Sequence, residues 1–160
     1  MTHKDKAKTL YEKGDVEGSI EEYHAALCDD PADAVTKKAL ADLLSDEDML
    51  SDAIAEYRAL IEIDSSDPCA HFGLCDACHK NGMIDEALVE IIESIRLRPG
   101  WPFYHNKMGM LLEEKSDIDG AIREYEEAIR IKPDFTVAID RLNSLKKKMN
   151  KNAKRQGESA

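Results

Sequence analysis

Ala121, Ile122, Tyr125, Ala128 and Ile129 recur at the i, i+3, i+4, i+7 spacing of a single helical face. Pro133 stops that helix, because it has no amide hydrogen and its ring clashes with the preceding turn. The same arrangement stands 34 residues earlier in Ala87, Leu88, Ile91, Ile95 and Pro99. Two further steps of that length reach Ala53, Ile54, Tyr57, Leu60 and Ile61, then Ser19, Ile20, Tyr23, Ala26, Leu27 and Pro31. A second apolar helical stretch precedes each of the last three units: Ala39, Leu40, Leu43 and Leu44; Phe72, Leu74, Cys75 and Cys78; Met108, Gly109, Leu111 and Leu112. Short polar breaks join the two halves, at Lys13-Gly14-Asp15, Asp46-Glu47-Asp48, Asn81-Gly82-Met83 and Ser116-Asp117. Gly14 and Gly82 sit where a helix C-terminus takes a left-handed residue, and Asp15, Asp85, Asp117 and Asp119 suit the positive end of the next helix. A fixed period of this length predicts a stack of helix pairs.

Aligned at that period, the fourth unit, residues 102–135, presents His105, Met108, Gly109, Leu112, Ala121, Tyr125, Ala128 and Pro133. The third, 68–101, presents His71, Leu74, Cys75, Cys78, Ala87, Ile91, Ser94 and Pro99. The second, 34–67, presents Lys37, Leu40, Ala41, Leu44, Ala53, Tyr57, Leu60 and Ser65, and the first His3, Lys6, Ala7, Leu10, Ser19, Tyr23, Ala26 and Pro31. These columns resemble the marked positions of the tetratricopeptide repeat family. The resemblance covers residues 1–135 and implies an all-α, right-handed solenoid of four helix-turn-helix units. Small residues recur at the eighth and twentieth positions, where two helices approach closely and a larger side chain would overpack. The departures are also legible. No unit has the family's tryptophan at its fourth position, Pro68 stands in for the missing proline of the second unit, and Lys6 at an apolar position predicts a frayed first helix.

Residues 136–150 continue as a capping helix, with Ala138, Ile139, Leu142, Leu145 and Met149 on the face that covers the last repeat. Residues 151–160 carry no apolar periodicity and read as a disordered basic tail. The expected domain therefore spans 1–150.

Charge narrows the partners. The net charge is −11, but residues 136–160 carry seven Lys and Arg against two Asp and Glu, leaving 15 against 31 in residues 1–135. The body should repel nucleic acid and anionic membranes and favour neutral or basic partners. The tail's cations complement their own helix end. No apolar run approaches the roughly 20 residues of a membrane helix, and the N-terminal residues lack a secretory pattern, so the expected compartment is the cytoplasm. Cys28, Cys69, Cys75 and Cys78 would stay reduced there.

Candidate chemistry is confined to one stretch. Cys75-Asp76-Ala77-Cys78-His79 has the C-x-x-C-H spacing of haem attachment, but that attachment occurs outside the cytoplasm, and the repeat buries both thiols. Cys69, His71, Cys75, Cys78 and His79 lie within eleven residues, yet one helix cannot readily wrap four ligands around one zinc ion. A metal- or redox-linked role for this cluster is the lesser alternative. No paired carboxylate, phosphate loop or nucleophilic triad stands out, so the reading is non-catalytic, with no cofactor.

The resemblance implies that the first helix of each unit lines a concave groove where partners bind. The positions it designates include Val35, Lys38 and Asp42 in the second unit, Cys69, Phe72 and Asp76 in the third, and Phe103, Asn106 and Met110 in the fourth. Val35, Cys69, Phe72, Phe103 and Met110 would form an apolar stripe flanked by acidic residues. Phe72 and Phe103 either meet a partner there or pack partly on neighbouring units. The family's carboxylate clamp is missing in both possible registers, which offer Lys4, Lys8, Ala39, Cys69 and Gly73, or Lys38, Asp42, Gly73, Phe103 and Lys107. Trp101, the sole tryptophan, is expected to pack at an inter-unit joint. The function so implied is an adaptor or scaffold that binds an apolar, basic protein segment. Self-assembly into a homo-oligomer is the alternative.

Overall fold

The computed structural model describes residues 1–157; positions 158–160, the end of the expected tail, lie outside the described residues. Among the described residues there are nine helices and no strand. They are α1 (His3–Glu12), α2 (Val16–Asp29), α3 (Ala34–Asp46), α4 (Leu50–Ile63), α5 (Pro68–Lys80), α6 (Ile84–Leu97), α7 (Pro102–Glu114), α8 (Ile118–Ile131) and α9 (Thr136–Gly157). The chain divides into two compact units, Met1–Met83 and Ile84–Ala160, with the boundary between α5 and α6.

Most of the helix starts follow from local sequence. Asp15, Asp33, Asp67 and Asp117 each accept backbone N–H groups at the beginning of α2, α3, α5 and α8, and Pro68 and Pro102 occupy the first turn of α5 and α7. Pro68 thus opens α5 rather than closing α4, which ends earlier, at Ile63. The expected fraying of α1 is not seen. Thr2 and Asp5 form a reciprocal capping box, and the Lys6 ammonium that looked misplaced on an apolar face meets the Glu22 carboxylate.

The turns within the helix pairs repeat a single geometry. Gly14, Asp48, Gly82 and Ser116 all have positive φ, between 63° and 82°. The amide after each bonds back to the last turn of the preceding helix: Asp15 to the Leu10 carbonyl, Met49 to Leu44, Met83 to Cys78 and Asp117 to Leu112, at 2.8–2.9 Å. This is the Schellman closure, which satisfies carbonyls a helix end leaves open.

In the first unit the small residues Ala7, Ala41, Ser19 and Ala53 are fully buried between helices, beside Tyr23, Leu40, Leu44, Tyr57 and Leu60. The Tyr57 ring lies against Gly73 of α5, where a Cβ would clash with it. In the second unit Tyr125 of α8 covers Gly109 of α7 in the same manner. Leu111 is fully buried, and its neighbour Leu112 only partly so. Ala138, Leu142 and Leu145 of α9, with Phe135 ahead of it, close over Ala121, Tyr125 and Ala128. Ile139 is half-buried and Met149 is exposed, so the covering face ends at Leu145. The backbone of α9 stays helical to Gly157, past the expected limit at 150, because Lys, Ala, Arg and Gln in that stretch are good helix formers.

Candidate interaction surface on the first helices of the repeats

In the first unit, Val35, Lys38 and Asp42 follow one another at i, i+3, i+7 along α3. Val35 is 74% exposed, a large apolar side chain left to solvent. Lys38 donates to one oxygen of Asp42 at 2.6 Å, and the Tyr57 hydroxyl donates to the other at 2.6 Å. Asp42 is therefore locked in place, and its charge is answered by Lys38. Burial, then Asp42, holds the Tyr57 phenol well above its ordinary range. Cys69, Phe72 and Asp76 follow the same spacing along α5 and are all half-buried. Lys80 lies 3.3 Å from Asp76 and donates to the backbone carbonyl and hydroxyl of Ser45, each at 3.3 Å, which ties the end of α5 to that of α3. A cleft of about 310 Å³ in this unit, lined by Thr2, Lys4, Ala26 and Asp33 among others, contains none of these six residues.

In the second unit, Phe103, Asn106 and Met110 share a face of α7. Phe103 is 44% exposed, and its ring sits 4.9 Å from that of Phe135 and 5.6 Å from that of Trp101. Trp101 is 43% exposed, with the Arg98 guanidinium 5.5 Å from its ring. The two aromatics thus combine packing with exposure. Asn106 is buried, with its amide 3.7 Å from the Met110 sulfur, and Met110 packs against the α8–α9 core. Neither offers an open polar handle. One turn further on, Glu113 accepts from the Tyr125 hydroxyl at 3.0 Å and faces Lys148 of α9 at 3.8 Å. Burial and Glu113 push the Tyr125 phenol up to about 12.

Cys75 and Cys78 are fully buried, as expected from their repeat positions, and none of the four cysteines is joined in a disulfide. Among the described residues, no three His, Cys, Asp or Glu side chains converge where a metal ion would sit.

One set of residues was overlooked in the sequence. His3 contacts Glu22 at 2.6 Å, Lys37 faces Glu56 at 3.9 Å, and His105 contacts Glu124 at 2.8 Å. Each pair is separated by 19 residues and joins the first helix of a repeat to its second. His71 and Glu90 occupy the same two positions in the third repeat. A basic or imidazole side chain thus stands where the family has tryptophan. The signal was present in the aligned columns, but only helix juxtaposition gives it meaning.

The class is that of helix-pair repeat proteins. Residues 104–135 match the family model described as tetratricopeptide repeat. The fold agrees with solved structures over most of the chain. A structure of MamA protein aligns with a TM-score of 0.83 at 25% identity, covering 89% of this chain and 78% of that one. MamA from Desulfovibrio magneticus RS-1, residues 41 to the end, aligns at 0.77 and 15% identity, covering 83% and 75%. The first such domain of Spaghetti (RPAP3), bound to the HSP90 peptide SRMEEVD, aligns at 0.70 and 14% identity, covering 73% and 93%. The last two likenesses are of fold alone. A search among curated proteins finds no match to this sequence. Residues 104–135 thus form a tetratricopeptide repeat, and the chain shares the fold of these solved structures.

Proposed function

We propose that the chain is a non-catalytic protein-interaction module that holds an apolar, basic segment of a partner against the first helices of its repeats. The observation that carries the reading is the exposure of Val35, which precedes the fixed Lys38–Asp42 pair on α3, and of Phe103 on α7. Apolar side chains on a rigid helical surface, with neighbouring charges already oriented, offer contact area with little ordering cost. The body's excess of acidic residues favours the basic character of the partner. One fold relative is described with a bound peptide, but this chain lacks a carboxylate clamp. Lys107, one candidate clamp residue, is buried, and Asp42 occupies the place of an amide. The anchors proposed are therefore Val35, Phe72 and Phe103, with Asp76 at the rim. No helix among the described residues is long and apolar enough to cross a membrane. The reading places the protein in the cytoplasm, where its cysteines stay reduced.

The test is affinity capture from the source organism, followed by titration of the captured partner against the Phe72→Ala/Phe103→Ala double variant and against Val35→Asn. Affinity should fall at least about tenfold for the double variant, the scale of losing well-packed anchors. Val35 is so exposed that its substitution leaves the helical spectrum unchanged, and it should weaken binding by itself. Unaltered affinity in both variants would discard the groove assignment. Concentration-dependent light scattering of the pure protein would instead identify a second copy as the partner.

A further inference from the structure

We propose that His105 is a proton-operated latch on the aromatic turn: as an imidazolium it bridges α8 to the segment just ahead of Trp101, and without its proton it must release one of the two. The ring is buried. Its Nδ1 lies 2.8 Å from a Glu124 carboxylate oxygen on α8, and its Nε2 lies 2.9 Å from the Pro99 carbonyl oxygen, two residues beyond the end of α6. A carboxylate and a carbonyl only accept hydrogen bonds. Neutral imidazole carries a single N–H, so one ring nitrogen would then aim a lone pair at an acceptor inside a buried site. Only the cation satisfies both contacts.

The surroundings agree with that assignment. Glu124 and, farther off, Glu127 face the ring from α8, and the α6 side contributes the Pro99 carbonyl. Arg98, adjacent to Pro99, is directed over the Trp101 ring. Lys107 is buried on the same helix, α7. The hydrogen bond to Glu124 raises the His105 pKa most, burial opposes it, and the Pro99 carbonyl adds to the rise. The sign follows from linkage. A histidine raised in the folded state contributes fully below its unfolded value of about 6.5, and the contribution is lost as pH climbs through the folded value. The latch is thus closed in mildly acidic solution and opens on the alkaline side. The neighbouring repeats supply a comparison. His71 places its Nε2 3.1 Å from the Ser65 carbonyl at the corresponding turn, whereas the second repeat has Lys37 at this position, facing Glu56.

The turn that His105 holds ends on Trp101, whose ring lies against Phe103 in the first turn of α7, so its opening would loosen this exposed aromatic pair. Trp101 is the sole tryptophan and therefore a built-in reporter, read without any partner present. The experiment is a titration of tryptophan emission in the full chain from about pH 5 to about pH 9, spanning the histidine range, with the His105 ring followed by NMR. The expected result is one transition above the free-histidine value in both signals, lost from the emission in His105→Gln and moved to lower pH in Glu124→Gln. A flat emission profile, a transition that persists in His105→Gln, or a ring that titrates at or below free histidine would overturn the latch. If His105→Gln does not fold, the wild-type ring titration and Glu124→Gln decide the matter by themselves.

Discussion

A Cβ placed on Gly109 of α7 would lie 2.6 Å from Cε1 of Tyr125 on α8. The ring cannot easily retreat, because it is fully buried and its hydroxyl is held by Glu113. Gly→Ala within a helix ordinarily gains about 1 kcal/mol. Here the sign reverses, and Gly109→Ala should cost about 1–3 kcal/mol through overpacking. Gly73→Ala, which meets the Tyr57 ring, should behave alike. Urea denaturation of the two variants checks this, and stabilisation by either would mean that the tyrosines move freely.

Ser116 adopts φ of 64° at the turn position where two other repeats have glycine. Left-handed backbone costs a residue with a side chain roughly 1–2 kcal/mol. Ser116→Gly should therefore raise stability by about 1 kcal/mol, less the entropy that glycine loses on folding. Thermal unfolding measures it.

Met49 begins α4 with no side-chain cap, although Asp15 and Asp117 cap α2 and α8 from the same repeat position. Met49→Asp should supply the missing acceptor and stabilise the fold by about 0.5–2 kcal/mol. The complementary change, Asp117→Ala, should cost a similar amount. A shift of both midpoints in one direction would contradict the capping argument.

Asp33 accepts from Lys4 and from the side chain and backbone of Thr36, and these bonds hold its carboxyl well below the usual range, with Lys4 first among the causes. A depressed carboxyl contributes stability above its unfolded pKa of about 3.9, and that contribution is lost as pH falls. Asp33→Asn should accordingly flatten the acid limb of the stability profile while leaving its slope above neutrality unchanged. Acid-unfolding curves of the two proteins make the comparison.

Much of the fold was legible because its determinants are local. The apolar spacing around Tyr125 marks one helical face, Asp117 marks a helix start, and Gly14 marks a turn, each within a few residues. The small residues Ala41 and Ala121 were recognisable as close-approach points from the repeat alone. The site was less legible. Asn106 and Met110 share a helix face with Phe103, yet they are drawn into the second unit's interior, because burial depends on what packs over a face. Pro68 was misplaced for a related reason: proline stops one helix and starts another by the same chemistry, and only the observed end at Ile63 separates the two.

The sequence by itself determined that Ala121–Pro133 is a helix with a stop and, through its recurrence every 34 residues, that the chain is built of helix pairs, since the 3.6-residue period and its terminators act through near neighbours. Tertiary structure alone decided that Tyr57 fills the space over Gly73, that Asp42 is locked between Lys38 and Tyr57, and that both nitrogens of His105 face acceptors. Each of those relations includes a contact that one helix alone does not supply. Their energies depend on distance, burial and charge state, none of which is encoded at any single position.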